Sequence, residues 1–263
     1  MKRFCFTVDD NIWFLKELSK GDYESIFAHP YLAAYKRLHE RLGVKVQLNL
    51  FYEEKGFDLS QMTARFRCEW EENADWLKLS YHSLNHDVAP YDDVSYAQMY
   101  EECEKTNREI VRFASDEALA KSTTIHFCKC SKEGISALKV NGYLGLLGLY
   151  GTQEQIRFSY GLGEEDCRRL QNGDLLKIDG VWHLGIDIVL NRFSTQEILE
   201  QIERLKEKEV VAVMIHEQFF YPHYRLYQAD FEEKLAKTFE KLLGLGFQSK
   251  FAEEVFLNKE EQL

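Results

Sequence analysis

Apolar positions along this chain switch repeatedly between a period of two, unbroken runs, and spacings of three and four. Arg3–Val8 reads as a first strand and Val44–Phe51 (VKVQLNLF) as a second. Between them the spacing predicts helices over Asn11–Lys20 and Tyr31–Leu42, the latter stopped by Gly43. Leu77–Tyr81 is a third strand. A long amphipathic helix follows from Ser95, a suitable N-cap, to Ala114, with Met99, Cys103, Ile110 and Phe113 as apolar positions. Ser122–Phe127 reads as a fourth strand, Lys132–Val140 as a helix ended by Asn141-Gly142, and Leu144–Tyr150 and Trp182–Leu190 as two more strands. Ser194 caps a helix to about Lys208, with Glu197 in capping-box position. Val210–Ile215 (VVAVMI) has the unbroken apolar character of a strand buried on both faces. Gln228–Leu243 gives the last helix and Gln248–Ala252 a short closing strand. Residues 151–180 fit the pattern poorly and read as loop, hairpin or insertion.

Strand–helix alternation implies a parallel sheet with helices outside it, open or closed into a TIM-like barrel. The 263 residues are close to the usual length of such a barrel. Three prolines and no low-complexity stretch leave no linker, so one domain over residues 1–263 is expected. No apolar run approaches the ~18 to 20 residues of a bilayer span. Met1-Lys2-Arg3-Phe4-Cys5-Phe6 runs directly into a strand without a signal-peptide core, so a cytoplasmic location is expected.

The formal charge of −11 argues against nucleic acid and anionic lipid as partners, and favours a neutral or cationic substrate. The six cysteines lack the spacing of a disulfide framework and read as buried thiols. Cys128 and Cys130 are too close for an ordinary disulfide.

Functional groups of such folds gather at the C-terminal ends of strands. Asp9-Asp10 end the first strand here, His82 and His86 follow the third, His126 lies late in the fourth, Asp187 is in the sixth, and His216 closes VVAVMI. His82 and His86 are four residues apart, so on one helical turn both rings would reach a single ion. Two histidines and one carboxylate make a three-ligand metal site with room for water. Each residue also has a plainer reading. Asp10 would cap the following helix, His82 and His86 would be helix-surface histidines, and His216 a satisfied core histidine.

Three segments resemble the polysaccharide deacetylase family, also called NodB-homology or carbohydrate esterase family 4. Thr7-Val8-Asp9-Asp10 resembles its T-F-D-D motif, His82-Ser83-Leu84-Asn85-His86 its H-[S/T]-x-x-H motif, and Val211–His216 its late apolar strand ending in histidine. The resemblance implies a distorted (β/α)7 barrel over nearly the whole chain. It also implies a divalent transition metal, zinc first and then cobalt, nickel, manganese or iron, held by Asp10, His82 and His86. Asp9 would be the general base and His216 the general acid in removing the acetyl group from an N-acetylated sugar or another N-acylated small molecule.

The family's Arg-x-Pro motif, which orients the base, has no counterpart; the strand end reads Thr124-Ile125-His126-Phe127-Cys128, with His126 as the supporting candidate. Asp187 and Trp182 stand for its pocket-lining acidic and Trp residues. Two alternatives remain: a glycoside hydrolase on a related barrel, or a catalytically weakened carbohydrate-binding or biosynthetic protein that keeps the metal.

Overall fold

The computed structural model describes residues 1–151 and 155–261. In chain order the elements are β1 (Arg3–Asn11), α1 (Trp13–Lys20), α2 (Pro30–Leu42), β2 (Val46–Phe51), a small hairpin of β3 (Glu53–Glu54) and β4 (Phe57–Asp58), α3 (Arg67–Glu72), β5 (Leu77–Ser83) and α4 (Tyr96–Phe113). Then come β6 (Ser122–Thr123), α5 (Lys132–Val140), β7 (Gly145–Gly148), α6 (Glu164–Gln171), β8 (Leu176–Ile178), β9 (Val181–Gly185), β10 (Ile188–Val189), α7 (Thr195–Arg204), β11 (Val210–His216), α8 (Phe231–Gly244), β12 (Gln248–Ser249) and α9 (Ala252–Glu260).

One sheet runs in the order β10-β11-β1-β2-β5 with every pair parallel, and β12 adds alongside the start of β1. A second sheet, β6-β7-β9-β8, is parallel apart from β8. This is the expected α/β architecture with a parallel central sheet. The two sheets approach a barrel without joining into one continuous ladder. At one seam a bridge links Leu79 to Leu119, and Ser80 Oγ donates to the Ser122 carbonyl at 2.8 Å. At the other the chain crosses between sheets, with Ile186 N donating to Gly148 O and Asp187 N to Ala212 O.

Period-two alternation sorts the strand side chains. Phe4, Phe6 and Val8 of β1, Val46, Leu48 and Leu50 of β2, Leu77 and Leu79 of β5, and Val211, Val213 and Ile215 of β11 belong to one large apolar cluster with the helices. Phe239 of α8, for example, packs at 5.2 Å from the Phe4 ring and 4.8 Å from the Phe6 ring. The intervening residues face the inside of the arc and are polar toward its C-terminal end: Thr7 and Asp9, Gln47 and Asn49, Ser80 and His82. No helix among the described residues is long and apolar enough to cross a membrane.

Several expected elements hold: Ser95 caps α4, the Ser194–Glu197 capping box opens α7, and Gly43 ends α2 in a left-handed conformation at φ 64°. Others change. The fourth strand stops at Thr123, because Phe127 and Cys128 turn left-handed at φ 60° and 56° and take His126 out of any strand. His126, Cys128 and Cys130 therefore share no strand face. Residues 151–180, apart from 152–154 outside the described residues, contain α6 and β8.

Candidate metal centre

Strict alternation along β1 would turn Asp9 inward and Asp10 outward. The backbone breaks that rule. Asp10 adopts a left-handed conformation at φ 63°, and the register against β2 shifts between Val8 and Asn11. A non-glycine residue holds this conformation only where its surroundings enforce it. Here buried Asn11 donates from Nδ2 to Val8 O at 2.6 Å and to Asn49 O at 3.1 Å, and accepts from the Tyr31 hydroxyl at 2.7 Å. Gln218 Nε2 donates to the Asp10 carbonyl at 3.0 Å. The neighbouring Glu217 carboxylate, fully buried, accepts from the N–H groups of Ile12, Trp13 and Phe14 at 2.7, 2.9 and 2.7 Å. The ends of β1 and β11 are thereby tied together at the start of α1.

The kink lets Asp9 and Asp10 both serve one site. Asp10 Oδ1 lies 3.1 Å from His82 Nε2 and 3.4 Å from His126 Nδ1, and those two nitrogens are 3.3 Å apart. Donors ~2.0–2.1 Å from one tetrahedrally bound zinc ion stand ~3.3 Å apart, so the three atoms match one face of such a site. His82 Nδ1 bonds the Thr124 carbonyl, which leaves Nε2 as the nitrogen that faces Asp10. Among the described residues the buried Nε2 of His126 has no hydrogen-bond partner. The donor set, a carboxylate and two imidazoles, suits zinc and its neighbours in the first transition row.

His86 stands outside this trio. His82 lies in β5 and His86 in the turn beyond it, so the pair does not share a helical turn. The His86 ring is exposed and sits 5.7 Å from the His126 ring, at the rim. Phe51 packs its ring 5.3 Å from His82, 5.2 Å from His126 and 6.1 Å from His86.

Asp9 is Cα partner to His216 across the β1–β11 ladder. Burial pushes the Asp9 carboxyl up to about 6, against the opposing pull of His82. Burial would also raise Asp10, but hydrogen bonds from His126 and His82 hold it well below the usual carboxylate range. Burial depresses His216, whose Nδ1 bonds Asn191 Oδ1 at 2.8 Å. That bond leaves Nε2 as the nitrogen free for proton transfer.

Two expected pocket residues lie elsewhere. Asp187 is ion-paired with Lys208 at 2.5 Å and accepts from Ala212 N at 3.0 Å, mid-strand in β11 and away from its C-terminal end. Trp182 stacks on Phe256 and donates from Nε1 to Glu260 at 3.1 Å, packing against α9. Neither contacts the trio. Sequence reasoning missed Asn49 and Asn191. Asn49 had a signal in VQLNLF, where Gln47 and Asn49 are polar at alternate positions of a strand buried throughout.

No family model and no curated protein matches this chain. Solved structures do. A family 4 carbohydrate esterase pseudoenzyme from Bacillus anthracis superposes at TM-score 0.55 with 12% identity, over 97% of this chain and 65% of that one. A family 4 acetyl xylan esterase from Clostridium thermocellum, in complex with a cobalt ion, gives TM-score 0.56 and 12% identity over 98% and 92%. The chain has the fold of the family 4 carbohydrate esterases. A 4-α-glucanotransferase from Thermococcus litoralis shares it, at TM-score 0.61 and 14% identity, over 98% of this chain and 40% of that one.

Proposed function

We propose that this protein is a metal-dependent hydrolase that removes the acetyl group from an N-acetylated carbohydrate, with zinc as the ion. The convergence of Asp10 Oδ1, His82 Nε2 and His126 Nδ1 within 3.1–3.4 Å, beside Asp9 and the Asp9–His216 strand pair, carries this reading. Asp10, His82 and His126 would hold the ion, with His86 at the rim as a further donor. The bound ion would polarise the amide carbonyl and acidify the attacking water. Asp9 takes the proton from that water as it adds to the carbonyl carbon. His216 Nε2 passes a proton to the nitrogen as the C–N bond breaks, and its bond to Asn191 keeps the ring oriented for that transfer.

The likeness to solved family 4 esterases, one of them cobalt-bound, supports the reading. The test is acetate release from an N-acetylglucosamine tetramer by the zinc-loaded protein, beside metal analysis of wild type and a His82→Ala/His126→Ala double variant. One zinc per chain, lost in the double variant, together with acetate release is the expected result. No zinc after reconstitution would remove this reading.

One observation favours a second reading, a carbohydrate-binding protein that keeps the metal without turnover. Among the described residues Asp9 is bonded by an amide, Asn49, where the family motif would supply a guanidinium. Zinc and sugar binding without acetate release would support it. A glycosidase would need a second carboxylate across the pocket. Asp187, the residue considered for that place, is committed to Lys208.

A further inference from the structure

The geometry points to Asn49 as a positioning residue that replaces the missing cation on Asp9, with its amide locked in direction by Gln47 and Ser122. This inference rests on the proposed hydrolase reading and adds to it the origin of the base's orientation. The lock starts at the Ser122 backbone carbonyl, which can only accept. Gln47 Nε2 donates to it at 2.9 Å, so the amide group of Gln47 has one permitted orientation. Ser122 Oγ donates to Gln47 Oε1 at 2.9 Å and agrees with that assignment. Gln47 Nε2 also donates to Asn49 Oδ1 at 2.7 Å. Asn49 must then turn Nδ2 toward Asp9, where it donates to Oδ1 at 2.6 Å.

The chain of bonds therefore runs from the wall of β6 through β2 to the end of β1, and Gln47, Asn49 and Ser122 are all buried. Its last bond fixes Oδ1 of Asp9. The other carboxylate oxygen accepts from none of the described residues and is the one left for the proton of the attacking water. A guanidinium would hold the base by charge, whereas this arrangement holds it by direction. Gln47 does not touch Asp9, so any effect it has on the base passes through Asn49.

The first test needs no substrate. In the metal-free protein, the Asn49 side-chain amide resonances in a ¹⁵N–¹H spectrum should move in Asp9→Ala and in Gln47→Leu. Asn49 resonances indifferent to both substitutions would overturn the inference. The second test uses the zinc-loaded protein and the N-acetylglucosamine tetramer. Asn49→Leu should lower kcat about tenfold to a hundredfold, with KM and zinc affinity within about twofold of wild type. Gln47→Leu should lower kcat about threefold to tenfold alone and add nothing in the Asn49→Leu background. Additive losses, or equal loss of zinc affinity, would make the residues ordinary packing and overturn it. If Asn49→Leu does not fold, Gln47→Leu and the spectrum decide. If the wild type releases no acetate, the hydrolase reading fails while the spectrum still judges the bond between Asn49 and Asp9.

Discussion

His82 bonds the carbonyl of Thr124 through Nδ1, and this single contact decides that Nε2 faces Asp10. The carbonyl belongs to the residue just beyond β6, two positions before His126. One short segment therefore orients the first imidazole and supplies the second. A backbone carbonyl behind a ligating histidine is the usual means of fixing its tautomer and ring plane.

Metal affinity should follow this arrangement. His82→Ala or His126→Ala is expected to weaken zinc binding about a hundredfold or more, and His86→Ala less than about tenfold. Calorimetric titration of the metal-free variants measures each. If His86→Ala loses the metal and His126→Ala keeps it, the ligands are the two histidines of His82–His86, as the motif implied.

Asp9 should separate chemistry from binding. Asp9→Asn is expected to keep zinc affinity within a few-fold and to lower turnover of the N-acetylglucosamine tetramer about 10²- to 10⁴-fold. Loss of zinc equal to that in His82→Ala would make Asp9 a ligand and leave the base unassigned.

Glu217 should matter to folding. Its carboxylate receives three backbone N–H groups at the start of α1, and a glutamine amide would set a donor against them. Glu217→Gln is expected to cost about 2–4 kcal/mol, read as a lower urea midpoint with an unchanged slope. A loss below about 0.5 kcal/mol would show that the N–H groups find other partners.

Acid sensitivity should trace in part to His183, which is buried beside Tyr150 and Tyr160 and pushed down by burial to about 4. An unfolded histidine titrates near 6.5, so on acidification the unfolded chain takes the proton first. The contribution is complete above pH ~6.5 and is lost as the pH falls toward 4, by about 3 kcal/mol in all. Denaturation of wild type and His183→Phe across this range tests it. Wild type should lose stability relative to the variant on acidification, and a constant difference between them would contradict the shift.

Acidic and basic groups also placed one helix that periodicity did not reveal. Glu253 in α9 is buried because it pairs with Lys78 at 2.7 Å and accepts from Lys121 N. With a carboxylate among Ala252, Val255 and Phe256 on the buried side, α9 presents no clean apolar stripe to read.

Local order was legible in the sequence. The alternation of strands and helices, the caps at Ser95 and Ser194, and the placement of Asp9, His82 and His216 at strand ends all depend on neighbours a few residues apart, within reach of a period or a motif. The left-handed turn of Asp10, the approach of His126 rather than His86 to Asp10, and the amide on Asp9 were decided only by the tertiary structure. Asp10 and His82 are 72 residues apart, and His82 and His126 are 44 apart. Whether such side chains meet depends on strand register and on where each strand ends. His126 turned inward because β6 stopped after two residues and Phe127 and Cys128 adopted positive φ. No period within the chain encodes that contact; it is the packing of the strands around one interior that brings Asp10, His82 and His126 together.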